Sequence, residues 1–97
     1  ILLDEPTSAL DVAHQHELLA LIRELNQSLG LTVIMVLHDI NMAAKFSDEL
    51  IALHSGQVIA SGSPSELMTT DTLKKIYGMD LSLFTDPISG KKISYIA

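Results

Sequence analysis

The sequence predicts an α/β fold in which helices cover part of a parallel sheet and a small tail of helices and hairpins follows. Two continuous apolar runs, residues 1–3 and 32–37, are typical of parallel strands that are buried on both faces. Between them, residues 12–29 repeat apolar side chains at the spacing of one helical face. Strand, helix and strand in this order form a βαβ unit, whose crossover is expected to be right-handed.

The helix of residues 12–29 has its own start and stop signals. Asp11 precedes it and is a good N-cap, because its carboxylate can accept hydrogen bonds from the first free backbone N–H groups. Gly30 follows it, and glycine readily adopts the left-handed conformation that ends many helices. We expect one face of this helix to be buried, formed by Leu18, Leu21, Ile22, Leu25 and Leu29.

The second half of the sequence predicts shorter elements. In order, they are a helix at 40–46, a hairpin at 50–60, a helix ending at 68, a helix ending near 77 and a terminal hairpin at 81–96. Thr70 or Asp71 is the expected N-cap of the last helix, and Phe84 and Tyr95 are expected to pair across the terminal hairpin. We therefore expect one domain fragment over residues 1–97, with the sheet in 1–62 and the tail in 63–97.

Composition excludes some classes of function. The chain has 97 residues and a formal net charge of −6, with only six basic side chains, which argues against a nucleic-acid-binding face. It has no cysteine, which is compatible with the cytosol, and no apolar run approaches the roughly 18–20 residues of a membrane span. Because Ile1 begins inside a strand pattern, we expect the chain to be the C-terminal piece of a longer protein.

Two adjacent acids end the first strand. Pro6 cannot donate to a sheet ladder, so the strand should stop at Asp4 or Glu5, at the edge where open α/β sheets bind ligands. Adjacent strand residues point to opposite sides, so each acid would have its own task. Asp4 would hold a hydrated Mg²⁺, and Glu5 would orient or deprotonate a water molecule. The alternative is that both acids are simply solvated at a strand end.

A histidine ends the next strand. In a parallel sheet, His38 emerges at the same edge as Asp4 and Glu5. It can donate a hydrogen bond to a phosphate oxygen or to a positioned water. A lone histidine after an apolar strand is more often structural, but its combination with the two acids favours a functional site.

These residues carry a resemblance to a known family. The segment ILLDEPT at residues 1–7 resembles the Walker B segment and catalytic glutamate of ABC-transporter ATPases. SALD at 8–11 resembles their D-loop, and VLHD at 36–39 resembles their switch-histidine loop. Residues 55–64 match a later segment of that family. The four motifs occur in the family's order and cover nearly the whole chain, which implies the C-terminal part of a P-loop NTPase (ABC ATPase) domain.

The tail is similar to a subfamily. Residues 38–46, 73–78 and 86–90 are similar to the ATPases of iron–siderophore, haem and cobalamin importers. The resemblance implies an ATP-hydrolysing subunit that pairs with a second copy and with membrane-spanning permease subunits. It would lie at the cytoplasmic face of the inner membrane, held there by the permease, and take no part in nucleic-acid binding.

The resemblance also implies roles for individual residues. Asp4 would hold Mg²⁺ with ATP, Glu5 would be the general base or water-orienting residue, and His38 would contact the γ-phosphate. Ser8 and Asp11 would lie at the interface with the second subunit, where the D-loop of one subunit communicates with the nucleotide site of the other. Glu5 and His38 are thus the expected catalytic residues, and Asp4, Ser8, Asp11 and His38 the expected ATP-binding residues.

The sequence departs from the family pattern in one large respect. It contains no G-x-x-x-x-G-K-[ST] phosphate loop, no Leu-Ser-Gly-Gly-Gln signature and no Q-loop. We therefore expect the chain alone not to hydrolyse ATP. Two other classes remain open, a non-catalytic regulatory or dimerisation module and a stand-alone metal-dependent phosphohydrolase that uses Asp4, Glu5, His38 and Asp39. We also expect the strand at 1–3 and one face of the helix at 12–29 to be exposed, and the chain to associate with its copies.

Overall fold

A parallel βαβ unit forms the first part of the chain in the computed structural model, which describes residues 1–96. Strand β1 (Leu2–Asp4) pairs in parallel with β2 (Ile34–Val36), and helix α1 (Val12–Leu29) connects them. The register places Asp4 opposite Val36. The predicted helix is confirmed at both ends, whereas the second strand is shorter than the apolar run from residue 32 to residue 37.

Both helix caps are those expected from the sequence. The side chain of Asp11 accepts a hydrogen bond from the backbone N–H of His14 at 2.9 Å. Gly30 adopts the left-handed conformation, with φ 65° and ψ 25°. These two local signals therefore determine where α1 begins and ends.

Burial of this unit is one-sided, so the expectation of strands buried on both faces is wrong for the described residues. Leu3 and Met35 are half-buried on one face of the strand pair, whereas Leu2, Ile34 and Val36 are exposed on the other. Two strands and one helix supply only one covering layer, which accounts for the difference. The exposure expected for the first strand is confirmed.

The apolar face of α1 is also only partly covered. Leu19 is fully buried, and Leu18 and Ile22 are half-buried, but Leu21, Leu25 and Leu29 are exposed. The predicted burial of the whole face is therefore wrong, whereas the exposure expected for one face of this helix is confirmed. An open apolar groove of about 190 Å³ runs between the helix and the strands. Its lining consists of Ile1, Leu3, Ile22, Leu25, Leu31 and Val33.

The second unit, which begins at Ile40, is described by itself. Its elements are α2 (Ile40–Phe46), β3 (Leu50–His54), β4 (Gln57–Gly62), α3 (Pro64–Leu67), α4 (Thr70–Tyr77), β5 (Ser82–Thr85) and β6 (Lys92–Tyr95). Strands β3 and β4 form one antiparallel hairpin, and β5 and β6 form another. The division of the chain at residues 62 and 63 stays a prediction.

The core of the second unit joins the helices to the first hairpin. Its buried members are Ala44, Leu50, Leu67, Met68 and Leu73. Each fully buried leucine contributes about 1.5–3 kcal/mol of transfer free energy relative to exposure. The tail therefore packs on β3 and β4 as part of one cluster.

Two expectations for the tail are wrong in detail. The N-cap of α4 is Thr69, whose Oγ1 accepts from the backbone N–H of Thr72 at 3.3 Å, and not Thr70 or Asp71. In the terminal hairpin, Phe84 pairs directly with Ile93, so Phe84 and Tyr95 are diagonal neighbours. The turn decides this register, because hydrogen bonds across residues 86–91 determine how many residues separate the strands.

An asparagine ties the terminal hairpin to α2. Asn41 Nδ2 donates to the carbonyl oxygen of Ser94 at 3.0 Å. Asn41 Oδ1 accepts from the Ser94 backbone N–H at 2.8 Å and from Ser94 Oγ at 3.0 Å. Ser94 is buried, so the Asn41 side chain satisfies backbone groups of Ser94 that water reaches poorly.

Across residues 1–96, no helix has the length and apolar character that crossing a bilayer requires.

Candidate functional site

The site is built at the carboxyl end of β1. Asp4 is the last residue of the strand and is exposed, and Pro6 ends the run two residues later. The backbone N–H of Glu5 still donates to the carbonyl oxygen of Val36 on β2, at 3.0 Å. This bond extends the parallel ladder by one residue and ties Glu5 to the neighbouring strand.

Glu5 has a strained backbone. Its φ is +48°, in the left-handed region that costs a residue other than glycine roughly 1–2 kcal/mol. Such conformations persist when the surrounding structure over-determines them, and they cluster at functional sites. Because Glu5 is not in an extended conformation, the alternation of side chains between the two faces of β1 does not continue to Glu5.

Glu5 and His38 are in contact. His38 lies two residues beyond β2, and its Nε2 forms a hydrogen bond with Glu5 Oε1. An ionised carboxylate only accepts, so the hydrogen lies on Nε2 and the imidazole donates. The ring of His38 is 81% exposed and the side chain of Glu5 is 37% exposed, so both remain accessible to a ligand.

Asp4 precedes Glu5 in the chain and is exposed at the end of β1. In the part of the chain from residue 1 to residue 96, no group of three or more histidine, cysteine or acidic side chains is arranged to hold a metal ion. Mg²⁺ does not need such a cage, because it is commonly bound by one or two carboxylates together with substrate phosphates and water. The exposed carboxylate of Asp4 fits that pattern as a single metal ligand when a nucleotide supplies phosphate oxygens as the others.

The loop after Glu5 carries the other predicted residues. Ser8 is exposed, and its backbone N–H donates to the carbonyl oxygen of Glu5 at 3.2 Å. Asp11 caps α1, and its Oδ1 also lies 2.9 Å from His14 Nδ1. The hydrogen bond from the His14 backbone N–H, and then that from the His14 side chain, hold the pKa of Asp11 below its usual value. The nucleotide contacts assigned to Ser8 and Asp11 stay predictions.

Gln15 was not identified from the sequence as a residue of this region. Gln15 Nε2 donates to the carbonyl oxygen of Leu10 at 2.9 Å and to that of Thr7 at 3.3 Å. Its side chain therefore lies across the loop between β1 and α1. The available signal was its position in the first turns of the helix, from which a long polar side chain can reach back to the preceding loop.

Solved structures with this fold come from ABC transporters. One chain of a metal-chelate type ABC transporter, in an inward-facing conformation, matches 98% of this chain at 27% identity with a TM-score of 0.83, over 38% of its own length. The cbiO1 protein of Clostridium perfringens, part of the ABC transporter complex cbiONQ, matches 74% at 33% identity with a TM-score of 0.66, over 29% of its length. The fold is that of part of an ABC ATPase domain, as the motifs predicted.

Among ABC transporter proteins, the curated relatives of this chain include ATP-binding proteins of iron and hemin uptake. The ferric enterobactin transport ATP-binding protein of Escherichia coli is 44% identical over 90 residues, which is 93% of this chain and 33% of that protein. The iron(3+)-hydroxamate import ATP-binding protein of Bacillus subtilis is 48% identical over 96% of this chain and 35% of that protein. The hemin import ATP-binding protein of Shewanella denitrificans is 49% identical over 82% of this chain and 32% of its own length.

This chain is homologous to the ATP-binding subunits of ABC transporters for iron–siderophore and haem import. It spans about a third of the length of the curated relatives it matches. No family model matches it. The resemblance stated from the four motifs is confirmed by these relatives, which are ATP-binding proteins of iron–siderophore and hemin import.

Proposed function

We propose that this chain is the C-terminal portion of the ATP-hydrolysing subunit of an ABC importer, for iron–siderophore or related metal-chelate uptake. The contact between Glu5 and His38, at the carboxyl edge of two paired parallel strands, is the observation that carries the proposal. The names of the relatives support the transported class, since they handle ferric siderophores and hemin.

In this proposal the three residues at the sheet edge divide the chemistry. Asp4 holds Mg²⁺, which when bound neutralises charge on the phosphates of ATP. Glu5 accepts a hydrogen bond from the attacking water and takes its proton as the water oxygen bonds to the γ-phosphorus and the bond from that phosphorus to the bridging oxygen of ADP breaks. His38 donates its Nε2–H to a γ-phosphate oxygen and stabilises the charge that develops there.

The pairing of Glu5 with His38 gives this division a physical basis. In this structure the imidazole N–H donates to the carboxylate. When a phosphate oxygen takes that N–H, the carboxylate of Glu5 becomes available to a water molecule. One hydrogen bond is exchanged for another, so the rearrangement costs little free energy.

The subunit is proposed to work as a pair. Ser8 and Asp11 lie on the loop after Glu5 and on the exposed surface of the first unit, where a second copy can contact them. ATP would then bridge the two copies, and permease subunits would hold the pair at the cytoplasmic face of the inner membrane. The chain by itself is proposed to be inactive, because its sequence contains no phosphate loop and no signature motif.

A graft tests the proposal. The chain replaces the matching 90-residue segment of the Escherichia coli ferric enterobactin protein, and ATP hydrolysis is measured for the graft and for the chain alone. We expect activity only in the graft, and at least a hundredfold loss with Glu5→Gln. Glu17→Gln, at an exposed position on α1, is the matched control and should keep the activity.

Two results would refute the proposal. The first is hydrolysis by the chain alone that disappears with Glu5→Gln, which would place a complete site within the 97 residues. The second is a folded graft that binds ATP but is inactive with Glu5 and His38 intact. That second result would favour a regulatory or dimerisation module.

A further inference from the structure

We propose that Gln15 is a positioning residue that holds the loop of residues 6–10 in the shape that Glu5 requires. Its Nε2 donates to two carbonyl oxygens of that loop, Leu10 at 2.9 Å and Thr7 at 3.3 Å. For its catalytic meaning this inference rests on the proposed function, but the hydrogen bonds themselves can be tested separately.

The loop has only a few internal hydrogen bonds of its own. The backbone N–H of Ser8 donates to Glu5 at 3.2 Å, and that of Leu10 donates to Thr7 at 3.1 Å. Pro6 has no N–H to donate. These turns are local and would adjust together, so they cannot by themselves hold Glu5 in its left-handed conformation, with φ +48°.

Gln15 connects this loop to a rigid element. It lies four residues after the N-cap Asp11, and helical side chains lean toward the helix N-terminus, so its amide reaches back over the loop. An amide group has two N–H donors, one for each carbonyl. The Thr7 oxygen accepts from both Leu10 and Gln15, which uses its two lone pairs.

The hydrogen bonds of Gln15 affect the orientation of the Glu5 carboxylate. With both donors of Gln15 in place, the carbonyls of Thr7 and Leu10 are held against α1, and the chain between them and Glu5 has little freedom. Without these donors the loop can relax, and Glu5 can leave its strained conformation. Gln15 itself does not touch the nucleotide in the proposed site, but the loop it holds carries Ser8, so its loss should lower kcat by a larger factor than it raises the KM for ATP.

Hydrogen exchange on the ¹⁵N-labelled chain tests the positioning role directly. Gln15→Met removes the donors but keeps the side-chain length and the helix propensity. We expect the backbone amides of Ser8 and Leu10 to exchange about tenfold faster in this variant. Gln27→Met, at an exposed position on the same helix, makes the identical change and should leave both amides unaltered. Gln15→Lys keeps an N–H donor and should restore most of the protection.

A second measurement uses the unaltered chain. The side-chain amide protons of Gln15 should exchange more slowly with water than those of Gln27, because the former are donated to carbonyls. Equal side-chain exchange at the two glutamines overturns the inference, as does unchanged exchange at Ser8 and Leu10 in Gln15→Met. Equal effects of methionine and lysine at this position would also overturn it, since the donor would then not matter.

The graft separates this inference from the proposed function. There, Gln15→Met should lower kcat about tenfold and raise the KM for ATP by a smaller factor, and Gln15→Lys should recover part of the loss in kcat. A graft that is inactive with Gln15 intact contradicts the proposed function, and the exchange data still decide the positioning role. An active graft whose kcat does not respond to Gln15→Met contradicts the catalytic meaning of the inference.

Discussion

Removing the Asn41 side chain should destabilise the second unit of the chain by about 2–4 kcal/mol. Three hydrogen bonds join Asn41 to Ser94, two of them to the Ser94 backbone N–H and carbonyl. Ser94 is only 9% exposed, so Asn41→Ala leaves these two backbone groups without their amide partner in a poorly hydrated place. Each such group costs about 1–3 kcal/mol. Alanine is the better helix former, which offsets part of this loss.

Urea unfolding followed by tyrosine fluorescence measures the effect. The chain has two tyrosines, Tyr77 and Tyr95, and no tryptophan, and both tyrosines belong to the second unit. The signal therefore reports the unit that contains Asn41. The midpoint should move to lower urea with the slope unchanged, as expected when stability alone changes.

Ser94→Ala is the matched comparison. It removes only the bond from Ser94 Oγ to Asn41 Oδ1 and keeps both backbone bonds, so about 0.5–1.5 kcal/mol should be lost. If Asn41→Ala costs no more than Ser94→Ala, the backbone bonds contribute nothing and the reasoning is wrong.

Three further predictions concern the first unit. Hydrogen bonds from the His14 backbone N–H and then from its side chain hold the pKa of Asp11 below its usual value, so the stability it contributes is present above the unfolded pKa and is lost as the pH falls through the folded pKa. Helix content by circular dichroism should therefore decline in acid less steeply in Asp11→Ala, and an identical acid profile would contradict the capping role. Calorimetric titration with Mg²⁺ alone should show no tight binding, because one carboxylate is a weak site; tight binding would favour the stand-alone phosphohydrolase. Light scattering should show association of the chain through its exposed strand face, reduced by Ile34→Lys, and a monodisperse monomer that binds no apolar dye would contradict this.

Local signals account for most of what the sequence predicted correctly. Helix α1 is bounded by Asp11 and Gly30, and each acts through its own backbone or nearest neighbours. Cap prediction failed at α4, where Thr69, Thr70 and Asp71 are all capable of capping and only the path of the chain selects the first. The pairing of Phe84 with Ile93 depended in the same way on the turn between their strands.

In the candidate site, too, some features follow from local sequence signals and others depend on contacts between segments. The residue types and their order were sufficient to predict Asp4, Glu5 and His38 at one sheet edge, because parallel strands bring their carboxyl ends together. The left-handed backbone of Glu5, its contact with His38 and the reach of Gln15 over the loop depend on where separate segments meet.

The sequence by itself thus determined the family, the order of the elements and the residues available for chemistry. Tertiary structure alone decided which of these residues touch. It also decided that Asn41 and Gln15, with no chemistry of their own, supply hydrogen bonds to backbone groups outside their own helices. The physical reason is that propensity and capping act over a few residues, whereas contacts between segments depend on the packing of the whole unit.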